Sequence, residues 1–253
     1  SVRRNIDYIK KQNPKYVLIL SGDHAYKINY NKMIAHHQRK NADLTIAAQR
    51  VPYSEASRFG ILVPNDNMKV TAFEEKPKKP TSNLASMGIY IFSTDVLINM
   101  LERYCNQKNS DFGHHIIPEV IDKGKAFLYQ YQGYWKDVGT LESFWKTNLA
   151  LTKATPKINL YDDNWKIHTR SEEKPSVKFG PEGRAIRSLV SNGSIINGEV
   201  ENSVISPGVF IQRGAVVRNC VIFNDTIIKS DSIVCKSIID KEVIIGSNSH
   251  IGF

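Results

Sequence analysis

Apolar side chains recur at every sixth position over the last seventy residues of the sequence. A period of six is too long for the alternation of a β-strand, and it does not fit a helical repeat. It is the hexapeptide signature of a parallel β-helix, in which each short strand forms one side of a triangular coil. We therefore predict a β-helix at residues 184–253, wound left-handed against the usual crossover rule, with an inward column that fills the coils. The first column is Val204, Phe210, Val216, Ile222, Ile228 and Val234, and the second is Val209, Ala215, Val221, Ile227, Ile233, Ile239, Ile245 and Ile251.

The first 155 residues show a different pattern, in which helical spacing alternates with short apolar runs. The sequence predicts a buried strand at residues 16–20, a helix at 30–40 and a further strand at 43–51. This order favours an α/β domain with a parallel sheet that helices cover on both faces. His36 and His37 lie on the predicted helix. Because adjacent helical residues point about 100° apart, the two do not form a chelating pair, and we place both on the solvated face.

The intervening segment, residues 156–183, is polar and contains prolines, so we interpret it as the linker between an α/β domain at 1–155 and the β-helix at 184–253. No apolar run approaches the ~20 residues that span a bilayer, and no membrane segment is expected. The sequence contains three cysteines, Cys105, Cys220 and Cys235. Because their number is odd and their spacing is not that of a metal site, we predict reduced thiols in a cytoplasmic protein.

The formal charge of +9 is carried by scattered basic residues rather than by a patch interleaved with aromatic residues. We therefore expect no nucleic-acid partner. Small anionic substrates, such as nucleotides and sugar phosphates, explain the basic balance equally well.

Two aspartates stand at the ends of predicted strands. Asp23 follows the first strand after Gly22, which we expect to permit the sharp exit, and Asp137 ends a later strand. Ligands of open α/β sheets bind at the carboxyl edge of the strands. Two carboxylates from distant strands can hold Mg²⁺ against two phosphate groups, as metal-assisted nucleotidyl transfer requires. For Asp23 taken alone, the capping of a turn is the alternative.

A second candidate group follows the return strand of a predicted hairpin. Pro77 stops the strand by removing a backbone donor, so Glu75 and Lys76 stand at its end. The lysine can neutralise a phosphate, and the carboxylate can accept hydroxyl donors. A solvated basic loop is the alternative for Lys76 alone. In the next predicted strand, small residues such as Ser86 and Gly88 let a ligand approach the backbone.

Several segments together resemble one family, the sugar-nucleotide pyrophosphorylases, and within it the glucose-1-phosphate adenylyltransferase branch. The resemblance covers essentially the whole chain. It implies a Rossmann-like domain of the GT-A type followed by the β-helix, and Mg²⁺-dependent transfer of an adenylyl group from ATP to glucose 1-phosphate. The segments are Ser-Gly-Asp-His at 21–24, Glu-Ala-Ser at 55–57 with Phe-Gly at 59–60, Phe-Glu-Glu-Lys-Pro at 73–77, Ala-Ser-Met-Gly-Ile-Tyr at 85–90, Asp-Phe-Gly at 111–113, Tyr-Trp-Lys-Asp-Val-Gly-Thr at 134–140, and Tyr-Asp at 161–162 with Asn-Trp at 164–165.

The resemblance also implies roles for individual positions. Two aspartates match the family's catalytic, metal-holding pair, and a lysine matches the residue that binds the sugar phosphate. Because these motifs occur together, we prefer the phosphate-binding role for the lysine over the solvated loop. The positions are Asp23 and Asp137 for the metal, Lys76 for the sugar phosphate, Glu75, Ser86 and Gly60 around the glucose, and Gly22 with the substrate-binding set.

One feature of the resembled family is not found in this sequence. The family begins with a glycine-rich loop containing an arginine, whose backbone N–H groups cradle the nucleotide, and the base-recognising residues lie in the same region. We therefore expect the sequence to begin inside a nucleotidyltransferase domain, and we expect these 253 residues alone to be inactive.

Three alternatives remain open at this level. The first is the same reaction with dTTP or UTP, and the second is a non-catalytic regulatory paralogue, which would be expected to lose residues such as Asp23, Lys76 or Asp137. The third is a hexapeptide acyltransferase, but the only histidine of the predicted coils is His250. The resemblance further implies a tetramer, or a hetero-oligomer with a regulatory paralogue, in which the β-helix mediates subunit contacts and effector control.

Overall fold

The computed structural model describes residues 2–104, 111–169 and 172–253, and the chain forms two compact units, Ser1–Trp135 and Lys136–Phe253. Cys105 lies outside the described residues, whereas Cys220 and Cys235 are free thiols. Among the described residues, no helix combines the length and the apolar character that crossing a bilayer requires.

The first unit alternates helices and strands as the sequence predicts. Its helices are a 3₁₀ turn at Val2–Asn5, α1 (Ile6–Gln12), α2 (Tyr30–Arg39), α3 (Tyr53–Ala56), α4 (Thr94–Arg103), a π-helical turn at Phe112–Ile116 and α5 (Ile117–Lys123). Its strands are β1 (Tyr16–Ile19), β2 (His24–Tyr26), β3 (Leu44–Arg50), β4 (Gly60–Pro64), β5 (Val70–Glu75), β6 (Leu84–Ser93) and β7 (Ala126–Gln130), and β8 (Trp135–Asp137) contains the boundary between the units.

The main sheet of the first unit is mixed rather than parallel. Its order is β5-β4-β6-β3-β7, with β1 also paired to β6. The strands β3 and β7 are parallel, but β6 runs antiparallel to both β1 and β3 and lies between them. The expectation of a parallel sheet is therefore wrong for β6, because a buried apolar run has the same composition whichever way it runs.

Helices cover both faces of this sheet, as expected. On one face, Leu97 of α4 packs with the fully buried Phe92. On the other face, Met33 of α2 packs with Met87, and both side chains are fully buried. Because β6 contributes to both apolar clusters, its side chains hold the two layers of helices on one central strand.

His37 on α2 is buried, so its predicted placement on the solvated face is wrong. It is 1% exposed, and its ring lies edge-on to Tyr16. The Ser93 hydroxyl donates to the carbonyl of Ala42 (2.9 Å), so His37 Nε2 donates to Ser93 Oγ (3.3 Å), and Nδ1 accepts from the Thr45 hydroxyl (2.8 Å). Both ring nitrogens are thus satisfied in the neutral form, which a helical wheel cannot show because these partners come from two strands.

We expect His37 to make the first unit sensitive to acid. Burial, with a smaller contribution from the neighbouring His36, lowers the pKa of His37 to about 4, whereas the unfolded chain titrates near 6.5. As pH falls below 6.5, the unfolded state binds a proton that the folded state does not, so stability is lost. The loss is about 2 kcal/mol between pH 7.5 and pH 5. Urea unfolding at both pH values measures it, and His37→Gln should remove about that much of the pH dependence. Equal pH dependence in the two proteins would contradict this role.

The second unit contains α6 (Leu141–Ala150) and a solenoid of short parallel strands. The Thr140 hydroxyl accepts from the backbone N–H of Ser143 and caps α6. The solenoid strands begin at Lys178, inside the segment assigned to the linker. Its three faces consist of β9 (Lys178–Phe179), β12 (Ile195–Ile196), β15 (Phe210–Ile211), β18 (Ile227–Ile228) and β21 (Ile244–Ile245); of β10 (Arg184–Ile186), β13 (Glu199–Glu201), β16 (Val216–Arg218), β19 (Ile233–Cys235) and β22 (His250–Ile251); and of β11 (Leu189–Val190), β14 (Val204–Ile205), β17 (Val221–Ile222) and β20 (Ile238–Ile239).

The coils of this solenoid do not keep an 18-residue repeat, because most repeat after 17 residues and the coil from Ile195 to Phe210 repeats after 15. Ile211 pairs with Ile228, and Ile228 pairs with Ile245. One side of each 17-residue coil therefore has five residues instead of six. Because neighbouring strand residues face opposite ways, a column with a period of six points inward before this side and outward after it, or the reverse. The prediction that a column keeps its phase throughout is wrong. Phe210 is only partly buried, whereas Ile228 of the same six-residue column is fully buried.

The corner on the short side of the coil is built by residues with positive φ. Asn202, Asn219 and Lys236 occupy this corner in successive coils, with φ of 45°, 55° and 45°. Asn202 Nδ2 donates to Asn219 Oδ1 (2.6 Å), so two consecutive corners are tied together. Asparagine adopts this conformation more readily than most residues, which makes it suitable for a tight corner.

Candidate active site

The loop after β1 carries Asp23. The backbone N–H of Ser21 donates to the Gly88 carbonyl on β6 (3.0 Å), which fixes the loop to the sheet. The Ser21 hydroxyl donates to Asp23 Oδ1 (3.2 Å), and the Asp23 side chain is 61% exposed. A carboxylate has about four lone-pair sites, so one hydroxyl leaves Asp23 free to bind a cation or a hydroxyl.

Gly88 gives this loop its support through a bulge in β6. The pairing with β3 shifts between Ala47 and Ala48, which leaves Met87 and Gly88 without direct partners on that strand. Gly88 has φ +64°, and a Cβ at this position would lie 2.9 Å from the Ser21 hydroxyl oxygen. The close approach of β6 to the loop at Ser21 therefore requires glycine at position 88.

Gly22 does not require glycine in the same way. Nothing lies within 4 Å of the position that a Cβ would take, and its φ is not positive. The sharp exit from β1 that the sequence assigned to Gly22 is therefore possible for other residues. The space above Gly22 is open to a ligand.

The two glycines give a matched pair of substitutions. We expect Gly88→Ala to lower the free energy of unfolding by about 2 kcal/mol, because it adds left-handed strain and a clash with Ser21. Gly22→Ala should change it by less than about 0.5 kcal/mol. Denaturant unfolding of both variants measures the difference. Equal losses would show that the Gly88 geometry is not what holds the loop.

His24 lies beside Asp23, at the start of β2. Its Nδ1 donates to the Met87 carbonyl in the bulge (2.8 Å), and its Nε2 lies 3.6 Å from Asp23 Oδ1. The ring stands edge-on to Trp135 at 5.4 Å between centroids, and the histidine side chain is 10% exposed. The bulge therefore orients a second polar group next to Asp23.

Glu75 and Lys76 lie at the end of β5, as predicted. Glu75 pairs with Gly60 of β4, and its carboxylate occupies the space beside Gly60 and Gly113, since a Cβ on either would come within 3.0 Å of Oε2. Lys76 Nζ is 3.9 Å from Glu75 Oε1 and its side chain is 68% exposed. Its backbone N–H donates to the Phe59 carbonyl (3.1 Å), so the base of the lysine is fixed while its ammonium group remains accessible.

Ser86 and Tyr90 connect these two groups along β6. The hydroxyls of Ser86 and Tyr90 are 3.3 Å apart, and the Gly88 backbone N–H donates to Ser86 Oγ (3.3 Å). Burial, assisted by the negative charges of Glu75 and Asp111, raises the pKa of Tyr90 to about 12, so its hydroxyl stays protonated. A line of contacts thus runs from the Asp23 loop through β6 toward Glu75.

A cavity of about 470 Å³ lies in the first unit beside this line of contacts. Its lining includes Ser21, Gly88, Tyr90 and Asp111. Asp111 accepts from the backbone N–H groups of Gly113 (2.8 Å) and His114 (2.9 Å), and it thereby begins the π-helical turn. The cavity is large enough for a small ligand.

Asp137 belongs to the second unit, at the end of β8. Its Oδ1 accepts from the backbone N–H of Gly139 (2.7 Å), and its carbonyl accepts from the Ser143 hydroxyl. These contacts fix Asp137 at the start of α6, and they agree with the predicted position at a strand end.

Sequence reasoning assigned no role to His24, Tyr90, Asp111 or Gly113. All four lie inside segments that carry the family resemblance, so the signal was present in the motifs. The approach of Gly113 to the Glu75 carboxylate and the hydrogen bond of His24 to the Met87 carbonyl join distant parts of the chain, which spacing along the sequence does not show.

The profile of the family described as nucleotidyl transferase matches residues 1–154. The chain belongs to the nucleotidyl transferase family. The profile of a GlmU-like C-terminal hexapeptide region matches residues 175–253 of this nucleotidyl transferase chain, where the structure forms the solenoid.

Curated relatives of this nucleotidyl transferase chain carry the name glucose-1-phosphate adenylyltransferase. One from Acetivibrio thermocellus is 44% identical over 100% of this chain and 60% of its own length. Others, from Lachnospira eligens and Thermotoga neapolitana, are 47% and 46% identical over 84% and 85% of this chain, and 50% and 52% of their own lengths. The chain thus spans between half and three fifths of the length of these relatives.

Proposed function

We propose that the protein containing this chain transfers the adenylyl group of ATP to glucose 1-phosphate, giving ADP-glucose and pyrophosphate for α-glucan synthesis of the glycogen or starch type. The observation that carries this proposal is the 44–47% identity to relatives named glucose-1-phosphate adenylyltransferase. The presence of Asp23, Lys76 and Asp137 in matching motifs supports a catalytic chain rather than a regulatory paralogue.

In the proposed reaction, a phosphate oxygen of glucose 1-phosphate attacks the α-phosphorus of ATP in line. A new oxygen–phosphorus bond forms, and the bond to the bridging oxygen of the β-phosphate breaks with release of pyrophosphate. The protein contributes positioning and neutralisation of charge rather than covalent chemistry.

We assign the sugar phosphate to the Glu75–Lys76 end of the site. The accessible Lys76 ammonium is suited to the phosphate, and the carboxylate of Glu75 can accept glucose hydroxyls. Ser86 lies on the same line of contacts and offers a further hydroxyl. Gly60 leaves room for Glu75, and the open space above Gly22 lets a phosphate approach the backbone.

We propose Asp23 and Asp137 as the residues that hold Mg²⁺. The residues fit this role chemically: each supplies a carboxylate, the ligand that Mg²⁺ prefers, and the Asp23 carboxylate is exposed. Bound Mg²⁺ would neutralise phosphate charge. The contacts of Ser21 with Asp23 and of Gly139 with Asp137 would hold the two carboxylates in fixed orientations.

We further propose a cytoplasmic homotetramer, or a hetero-oligomer with a regulatory paralogue, in which the solenoid makes subunit contacts and takes part in effector control. The outward-facing Ile195 and Ile244 on one solenoid face support such contacts, because they are 38% and 62% exposed. Sedimentation equilibrium of the protein measures its assembly, and a monomer at all concentrations would contradict this part of the proposal.

The test of the reaction is a nucleotide panel on the complete protein that contains this sequence. Pyrophosphate release is measured with glucose 1-phosphate, Mg²⁺ and each of ATP, dTTP and UTP, for the natural protein and for Asp137→Ala. We expect turnover with ATP that Asp137→Ala abolishes. Turnover with another triphosphate would keep the mechanism and change the nucleotide. No turnover with any nucleotide would overturn the proposal and favour a regulatory subunit.

A further inference from the structure

His24 presents a lone pair toward the Asp23 carboxylate. Its Nδ1 is 2.8 Å from the Met87 carbonyl oxygen, which can only accept, so Nδ1 carries the proton. In the neutral ring, Nε2 is therefore an acceptor. It lies 3.6 Å from Asp23 Oδ1, which is beyond hydrogen-bond distance.

The surroundings of His24 keep this arrangement in place. The side chain is nine-tenths buried, and its ring packs edge-on against the buried Trp135. Met87 precedes Gly88 in the bulge of β6, so the carbonyl that sets the tautomer is fixed by the sheet. Two electron-rich atoms that face each other across 3.6 Å repel unless a positive charge lies between them.

A divalent cation satisfies both atoms at once. Nitrogen and carboxylate ligands bind such ions at about 2.0–2.2 Å, so two donors of one ion stand about 3–4 Å apart. A histidine that donates its other ring N–H to a backbone carbonyl is the usual arrangement at protein metal sites.

We propose that His24 Nε2 is, together with the Asp23 carboxylate, a ligand of the divalent cation of this site, an inference that rests on the proposed metal-dependent function. An imidazole ligand raises the affinity of the site for divalent transition-metal ions relative to a site of oxygen ligands alone. The bulge at Met87 and Gly88 then has a function: it fixes the tautomer and the direction of the ligating ring.

The test uses Mn²⁺ alone as the probe, without nucleotide or sugar. Electron spin echo modulation of bound Mn²⁺ detects the ¹⁴N nucleus of a directly coordinated imidazole, and titration gives the Kd. We expect ¹⁴N modulation in the natural protein. His24→Asn, whose amide N–H can still donate to the Met87 carbonyl, should abolish the modulation and raise the Mn²⁺ Kd by about 10-fold or more. His250→Asn, at the far end of the solenoid, is the matched control and should change neither.

Bound Mn²⁺ without ¹⁴N modulation in the natural protein would overturn the proposal, as would modulation that persists in His24→Asn or no Mn²⁺ binding at all. Because the spectrum of the natural protein decides by itself, the test does not depend on whether the variant folds. The result is also separable from the proposed reaction. ATP turnover without ¹⁴N modulation refutes only the His24 ligand, and ¹⁴N modulation without turnover refutes only the reaction.

Discussion

Replacing Lys76 by alanine is expected to raise the KM for glucose 1-phosphate about 100-fold and to leave the KM for ATP within about threefold. The Lys76 side chain is 68% exposed, and within the described residues its one ion pair is the 3.9 Å contact with Glu75. Its charge is therefore available to a phosphate group. Loss of a charge contact of this kind costs about 2–5 kcal/mol, and 100-fold corresponds to about 2.7 kcal/mol.

The control for this prediction is Lys78→Ala, because Lys78 is exposed in the same basic loop and changes the net charge equally. We expect its KM for glucose 1-phosphate to stay within about threefold of the natural value, since a general field effect of one exposed charge is small and screened by salt. Steady-state kinetics with each substrate varied separately measure both constants. If the two lysines gave the same change, the loop would act as a diffuse basic surface and Lys76 would have no specific phosphate contact.

The positions of the candidate site residues follow from the sequence, but their contacts do not. Glu75, Lys76 and Asp137 stand at strand ends, where Pro77 and Gly139 predicted them. By contrast, the Glu75 carboxylate lies beside Gly113, which is 38 positions later in the sequence. Spacing rules describe one element at a time, so contacts between elements require the folded chain.

The two wrong predictions about the first unit, the exposure of His37 and the direction of β6, have a common physical origin. The burial of His37 depends on hydroxyls from two strands, and the direction of β6 depends on how the chain crosses the sheet. Both are decided by tertiary packing, which overrides local pattern. The β-helix was recognised correctly because a repeat shows its own period, but a single five-residue side is hidden among isoleucines and valines that suit either face.

The phase of the solenoid can be tested with two adjacent isoleucines. Ile228 is fully buried and pairs with Ile211 and Ile245 in the coil interior, whereas Ile227 is half-buried and pairs with Phe210 and the exposed Ile244.

We expect Ile228→Ala to lower the free energy of unfolding of the solenoid by about 3–4 kcal/mol, because it leaves a cavity between stacked coils that the rigid neighbours cannot close. Ile227→Ala removes the same atoms from a half-exposed position and should cost about 1 kcal/mol. Guanidinium unfolding followed by circular dichroism compares the two, with the coils treated as a cooperative array. An uninterrupted period of six would place Ile227 in one continuous column with the fully buried Val209 and Ala215. A larger loss at Ile227 than at Ile228 would therefore restore the six-residue phase and contradict the 17-residue coil.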